Sequence, residues 1–153
     1  MVVSVSIEAG QFDWDSIPLV TKLSADPAAG AQIANLVVPA GKRWLWYGGR
    51  FALVTDGTVI NRTAQWYCQP DGTTTLMYVP HSTQAATSTH TYGFTPNRST
   101  TEYLIGTEHY LGWGYGAPAV DLSAGAIILV SVGSLQGGDN LSAMTYYIKE
   151  APE

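Results

Sequence analysis

The stretch Arg43-Trp44-Leu45-Trp46-Tyr47-Gly48-Gly49-Arg50-Phe51-Ala52-Leu53-Val54-Thr55 decides the fold class. It is rich in aromatic and branched residues, which suit an extended chain packed in a sheet. Residues two apart on a strand share a face, so Trp44 and Trp46 point one way and Tyr47 the other. One face is expected to join the core, leaving the other free for an interface. Gly48-Gly49 in the middle predicts a bulge or sharp bend. A second run, residues 126–132 (Ala-Ile-Ile-Leu-Val-Ser-Val), is almost wholly apolar. It reads as a strand buried on both faces.

Outward from these two runs the chain continues in short strands separated by turns. Residues 33–38 lead into Pro39-Ala40-Gly41, a turn. Asp56-Gly57 separates the long run from a strand over 58–69, which Pro70-Asp71-Gly72 closes. Further strands are expected over 73–79 (stopped by Pro80), 87–94, 100–105 and 143–149. No window of a dozen residues carries a 3.6-residue apolar period. The best short helical candidate is 27–35, a turn or two at most. Eight to ten strands with turn residues between them predict an all-β fold, an antiparallel β-sandwich of jelly-roll type. Residues 1–30 lack clean alternation and read as an extended arm plus a lead-in strand. Residues 31–153 read as a single sandwich domain.

Composition narrows the function classes. The 153 residues include 46% hydrophobic and only 12% charged side chains. Disorder is excluded by the first figure. The second means that the surface must be built largely from hydroxyls, backbone and aromatics, with 11 Ser and 16 Thr available. Net charge is −5, and Lys42-Arg43 are the only adjacent cations. Nucleic-acid binding needs a basic patch, and none is visible. Anionic membranes are disfavoured on the same ground. No apolar run approaches the roughly 18–20 residues of a membrane helix. The first ten residues do not read as a secretory signal, so synthesis in a reducing cytoplasm is expected. The N-x-[S/T] triplets at Asn61, Asn97 and Asn140 then read as accidents.

The search for chemistry returns little. His81, His90 and His109 sit in no nucleophile elbow. Cys68 lies mid-strand and reads as a small buried hydrophobe. Asp13 and Asp15 read as solvated or turn-capping, and no metal motif or cofactor fingerprint is present. Glu102 and Glu108 stand out only because acids are few. No catalytic residue is assigned, and no cofactor is expected. The residues from His109 to Pro118 form a Gly-spaced aromatic loop, in which Tyr110, Trp113 and Tyr115 offer a recognition surface for a sugar ring or a protein. The competing reading tucks these rings onto the sandwich itself.

Two stretches carry a resemblance. One runs from Val38-Pro39-Ala40-Gly41-Lys42-Arg43-Trp44 through Thr58-Val59-Ile60-Asn61-Arg62 to Pro70-Asp71-Gly72. The other runs from Leu122-Ser123-Ala124-Gly125 through Gly137-Gly138-Asp139-Asn140-Leu141-Ser142 to Tyr146-Tyr147-Ile148. Together they resemble small jelly-roll structural proteins of tailed bacteriophages, including capsid decoration (head-stabilising) proteins. The Gly-Asp-Asn-Leu-Ser run also resembles the late turn of trimeric tumour-necrosis-factor-like jelly rolls. The resemblance implies a non-enzymatic virion protein on the capsid exterior, made in the host cytoplasm. Its partners would be itself, as a homotrimer, and the major capsid protein, with no nucleic acid and no membrane. It implies structural roles for Gly41 and Asp139 as turn formers and for Arg62 as a tie between a strand end and a neighbouring loop. An arm bearing Val2, Val3, Val5, Ile7, Phe12 and Trp14 would make the oligomer or capsid contact by adding a strand to a neighbour. The alternative is a carbohydrate- or receptor-binding module, tail-associated or lectin-like, using Tyr110, Trp113 and Tyr115.

Overall fold

Burial along Lys42–Val54 (β3) changes phase halfway. Trp44 and Trp46 are buried, and beyond them Gly49, Phe51 and Leu53 are. The cause is a β-bulge against Thr145–Pro152 (β12). Ile148 pairs with Trp46 and Tyr147 with Gly48, so Tyr47 is the additional residue on β3. Gly48 holds φ at 120°, and a Cβ there would run into the Phe94 carbonyl. Only glycine tolerates both conditions. One strand thereby presents Trp44 and Trp46 before the bulge, and Phe51 and Leu53 after it, to the same core.

The computed structural model describes residues 13–96, 102–112 and 119–153. The remaining strands are Val20–Leu23 (β1), Leu36–Val37 (β2), Arg62–Gln69 (β4), Met77–Gln84 (β5), Thr89–Thr95 (β6), Tyr103–Ile105 (β7), Glu108–Gly112 (β8), Val120–Leu122 (β9), Ile127–Gly133 (β10) and Asn140–Leu141 (β11). The described residues hold no helix. One sheet runs β1-β12-β3-β6-β8-β7, with β9 and β11 also paired to β3; the other runs β2-β10-β4-β5. The protein is all-β with two sheets, as a β-sandwich requires.

Between the sheets lies an aromatic core. Trp46 stacks on Phe94 at 5.1 Å, and Trp66 from the opposite sheet reaches Phe51 at 5.6 Å and Phe94 at 5.9 Å. Ile128, Val130 and Val132 of β10 fill in beside them. Truncating a ring of this kind costs about 3–5 kcal/mol. The aromatics expected to build the surface are thus in large part inside: Trp44, Trp46 and Trp66 are all buried.

Other expectations are corrected too. Pairing is antiparallel except between β6 and β8, which run parallel. Pro80 does not stop a strand; it sits inside β5, an outer strand, next to a register irregularity where no ladder N–H is needed. Residues 58–61 are not a strand, because the Arg62 side chain ties down the Thr58 and Ile60 carbonyls. Residues 27–35 form turns and extended chain. The apolar run in β10 is fully buried on one face only; Ile127, Leu129 and Ser131 are half-buried on the other. Four of the ten residues of the expected aromatic loop, His109 to Gly112, belong to strand β8.

Candidate functional site

All three histidines of the chain meet at one seam between the sheets. His81 comes from β5 of the smaller sheet, while His90 and His109 come from β6 and β8 of the larger. The parallel register makes the meeting possible, because it sets His109 beside Tyr92. The His90 and His109 rings stack at 4.6 Å, and the His81 ring meets Tyr92 edge-on at 4.9 Å. Tyr92 in turn donates to Gln84 Oε1 at 2.8 Å.

Glu102, just before β7, is the hub. Its Oε1 lies 2.8 Å from His81 Nδ1 and 3.1 Å from His109 Nδ1, and its Oε2 accepts the Ser82 amide at 2.9 Å. His109 Nε2 lies 2.6 Å from His90 Nδ1. The contacts to the hub have one chemical sense. Glu102, held ionised, accepts from His81 Nδ1 and His109 Nδ1, and one proton is shared between His109 Nε2 and His90 Nδ1. His81 Nε2 remains a buried nitrogen with no partner. Burial lowers the His81 pKa, against the pull of Glu102; burial and the neighbouring His109 lower that of His90. Burial alone would raise the Glu102 carboxyl, but the hydrogen bonds from Ser82 and His81 outweigh it and hold it below the ordinary value.

Because the His81 and His109 Nδ1 protons converge on one carboxylate oxygen, the cluster is a shared acceptor for two rings rather than a directional proton relay. It does not assemble a hydrolytic triad. His109 Nε2, the nitrogen that would activate a nucleophile, faces another ring, and the Ser82 hydroxyl lies on the Nδ1 side at 3.3 Å. Ring nitrogen meets ring nitrogen once, at His109 Nε2 and His90 Nδ1, and the described residues hold no set of three ligands placed for a metal ion.

A second buried cluster surrounds Arg62. Its guanidinium bonds both Asp139 oxygens at 2.9 Å, Asp56 Oδ1 at 2.6 Å and the Thr58 and Ile60 carbonyls. Asp139 also accepts the amides of Asp56 and Gln136 at 2.8 Å each. Asp139 is held below its ordinary pKa because these bonds outweigh its burial. Arg62 is raised by Asp139, against its own burial. Gly30 approaches so closely that a Cβ would lie 2.8 Å from the Gly137 Cα. This cluster locks three loops and leaves no room for a ligand.

The two outer faces differ in chemistry. On the β2-β10-β4-β5 sheet the outward positions include Val37, Ile127, Leu129, Tyr67, Tyr78, Gln65 and Pro80. The only charged or titratable side chains on these strands with a cation or imidazole, Arg62 and His81, point inward and are buried. The other sheet carries Arg43, Arg50, Glu108, Asp121 and Lys149 along its strands.

The sequence-assigned residues are scattered. Gly41 sits in the turn before β3 with φ at 70°. Arg62 and Asp139, 77 positions apart, are brought into contact. Tyr110 lies on β8 and donates to Glu108 Oε2 at 2.8 Å. Trp14 is in a turn whose carbonyl accepts Lys149 Nζ at 2.6 Å. Val2, Val3, Val5, Ile7, Phe12, Trp113 and Tyr115 lie outside the described residues. Sequence reasoning missed the histidine seam. Its only trace there was that all three histidines fall between positions 81 and 109.

No family model matches the chain, and neither does any curated protein or solved structure. Among the described residues no helix is long and apolar enough to cross a membrane.

Proposed function

We propose that the protein is a non-enzymatic virion structural protein, a capsid decoration protein that binds the outside of a phage shell as a homotrimer. The observation that carries the reading is the uncharged outer face of the β2-β10-β4-β5 sheet. It couples half-exposed aliphatic side chains to the Tyr67–Tyr78 ring pair, 5.0 Å apart. Tyr78 and Val37 are each 50% exposed. Burying such a face against protein desolvates no charge, and aromatic-rich, charge-poor patches are what interface cores use. In a molecule of net charge −5 it is also a face at which copies meet without repulsion.

The pairing pattern supports a jelly roll. Counting β1, β2, β3, β4, β5, β6, β10 and β12 as eight principal strands, the first pairs with the last, the second with the seventh, the third with the sixth and the fourth with the fifth. That is one long hairpin rolled into two sheets. The remaining short strands are additions to this scheme.

The test is light scattering of the purified protein and its co-sedimentation with empty shells assembled from a major capsid protein. Three times the 16.4 kDa chain mass and saturable shell binding are expected. The Val37→Lys/Tyr78→Lys variant should stay folded and lose at least one of these associations. A protein that remains monomeric and ignores shells overturns the reading, as does a variant that associates like the original.

A further inference from the structure

We infer that the outer face of the larger sheet carries a binding site for an acidic sugar, centred on Arg50 and independent of the shell-binding face. Two rows of residues cross this face. Thr145, Arg50, Gly93 and Tyr110 are successive partners across β12, β3, β6 and β8. Beside them Ala52 pairs with Thr91 and Thr91 with Glu108, while Ser142 bonds the Ala52 backbone. The small side chains of Ala52 and Thr91 form a floor. Arg50, Thr145 and Glu108 stand at its margins and border an open groove of about 360 Å³. That volume lies in the range of small-ligand sites.

The chemistry of the margins selects the ligand. Arg50 is exposed and makes no hydrogen bond or ion pair among the described residues. Its planar fork is suited to bidentate capture of a carboxylate. Glu108 forms no ion pair with it; one carboxylate oxygen accepts the Tyr110 hydroxyl, which leaves the other for a ligand hydroxyl. The Thr91 and Thr145 side chains offer further hydroxyl partners, whereas Ser142 already bonds the Ala143 carbonyl and the Ala52 amide. The Tyr110 ring fills the place of the missing Gly93 side chain: a Cβ there would lie 2.6 Å from Tyr110 Cδ1. The tyrosine ring therefore lies over Gly93, next in the row to Arg50, and bounds the groove on that side. One anionic group beside several hydroxyls, on a ring-sized floor, describes a uronic acid or a related sugar acid.

Titration of the full chain with D-glucuronate, D-glucose and acetate, followed by amide NMR shifts, tests this. Glucuronate should move the Arg50, Thr91 and Gly93 amides together, with glucose and acetate each binding roughly tenfold more weakly. Arg50→Gln should weaken glucuronate roughly ten- to a hundredfold while leaving the glucose response and the rest of the spectrum unchanged. Three results overturn the inference: no movement of these amides, acetate binding as tightly as glucuronate, or Arg50→Gln binding like the original. None of them bears on the shell-binding face, so the two proposals stand or fall separately.

Discussion

The Arg62–Asp139 cluster and the His81–Glu102–His109–His90 seam both hold ionisable groups away from water, in opposite ways. The first is permanently charged and complete: Asp139 accepts from Arg62 and two backbone amides, and Arg62 is shared among two carboxylates and two carbonyls. The second runs on one carboxylate and three imidazole rings, and it leaves His81 Nε2 unpartnered. A cluster built of strong acid and strong base ignores mild changes of pH. One built of imidazoles does not. The comparison separates what fixes the loops from what fastens the two sheets together along one side.

The largest effect expected is that of Asp139→Ala. It strands a buried guanidinium and two backbone amides, and should cost about 3–5 kcal/mol in urea denaturation. Adding Arg62→Met should not restore stability, because the Asp56 and Gln136 amides stay unsatisfied; full recovery would show the cluster to be a simple ion pair. Glu102→Gln keeps the shape of the hub but places an amide donor among ring donors. A loss of about 1–3 kcal/mol is expected, smaller than for Asp139→Ala. A larger one would reverse the ranking of the clusters.

Acidification sharpens the contrast further. Burial lowers the His81 and His90 pKa values below the ordinary 6.5, so the unfolded chain takes up protons before the folded one does. Stability should be fully present above pH 6.5 and fall as the pH drops from there. Glu102 and Asp139 are held below 4.5 and 3.8, so their contributions persist until the pH falls under those values. Thermal melts between pH 7 and 5 should show a decline that His81→Phe flattens and that Asp139→Ala, though less stable throughout, retains. The smallest effect concerns Cys68, whose thiol burial pushes up to about 12. Alkylation at pH 8 should be negligible in the native protein and faster in Asp139→Ala, since the thiol reacts only when the sandwich opens. Fast labelling of the native chain would place the weak point at β4 instead.

Local signals were legible in the sequence. Gly48-Gly49 announced the bulge, and Pro70-Asp71-Gly72 the turn in which Asp71 Oδ1 accepts the Thr73 and Thr74 amides. The class of fold followed from such punctuation. Pro80 misled because its tolerance depends on β5 being an outer strand, a property of the assembled sheet. The seam was invisible because it needs one parallel pairing, β6 with β8, to bring His109 to Tyr92. Arg62 was singled out by its place at a strand start, yet its partner Asp139 is set by pairing across the whole domain. Burial of Trp44 and Trp46 on one face followed from alternation, while the phase change beyond Gly48 needed the partner strand.

The pairing of β1 with β12 has a consequence for how the protein is made. Val20 bonds in register with Ile148, and β3 is flanked along most of its length by β12. Both contacts wait for the last strand to leave the ribosome. Until then the β3 edge is bare and the aromatic core is open on one side. A nascent chain of this kind has few stable resting points before β12 emerges, and contacts this distant in sequence form slowly. The exposed interval favours intermolecular strand pairing. Yield in a host cell should therefore depend on synthesis rate and temperature more than on the stability of the finished sandwich.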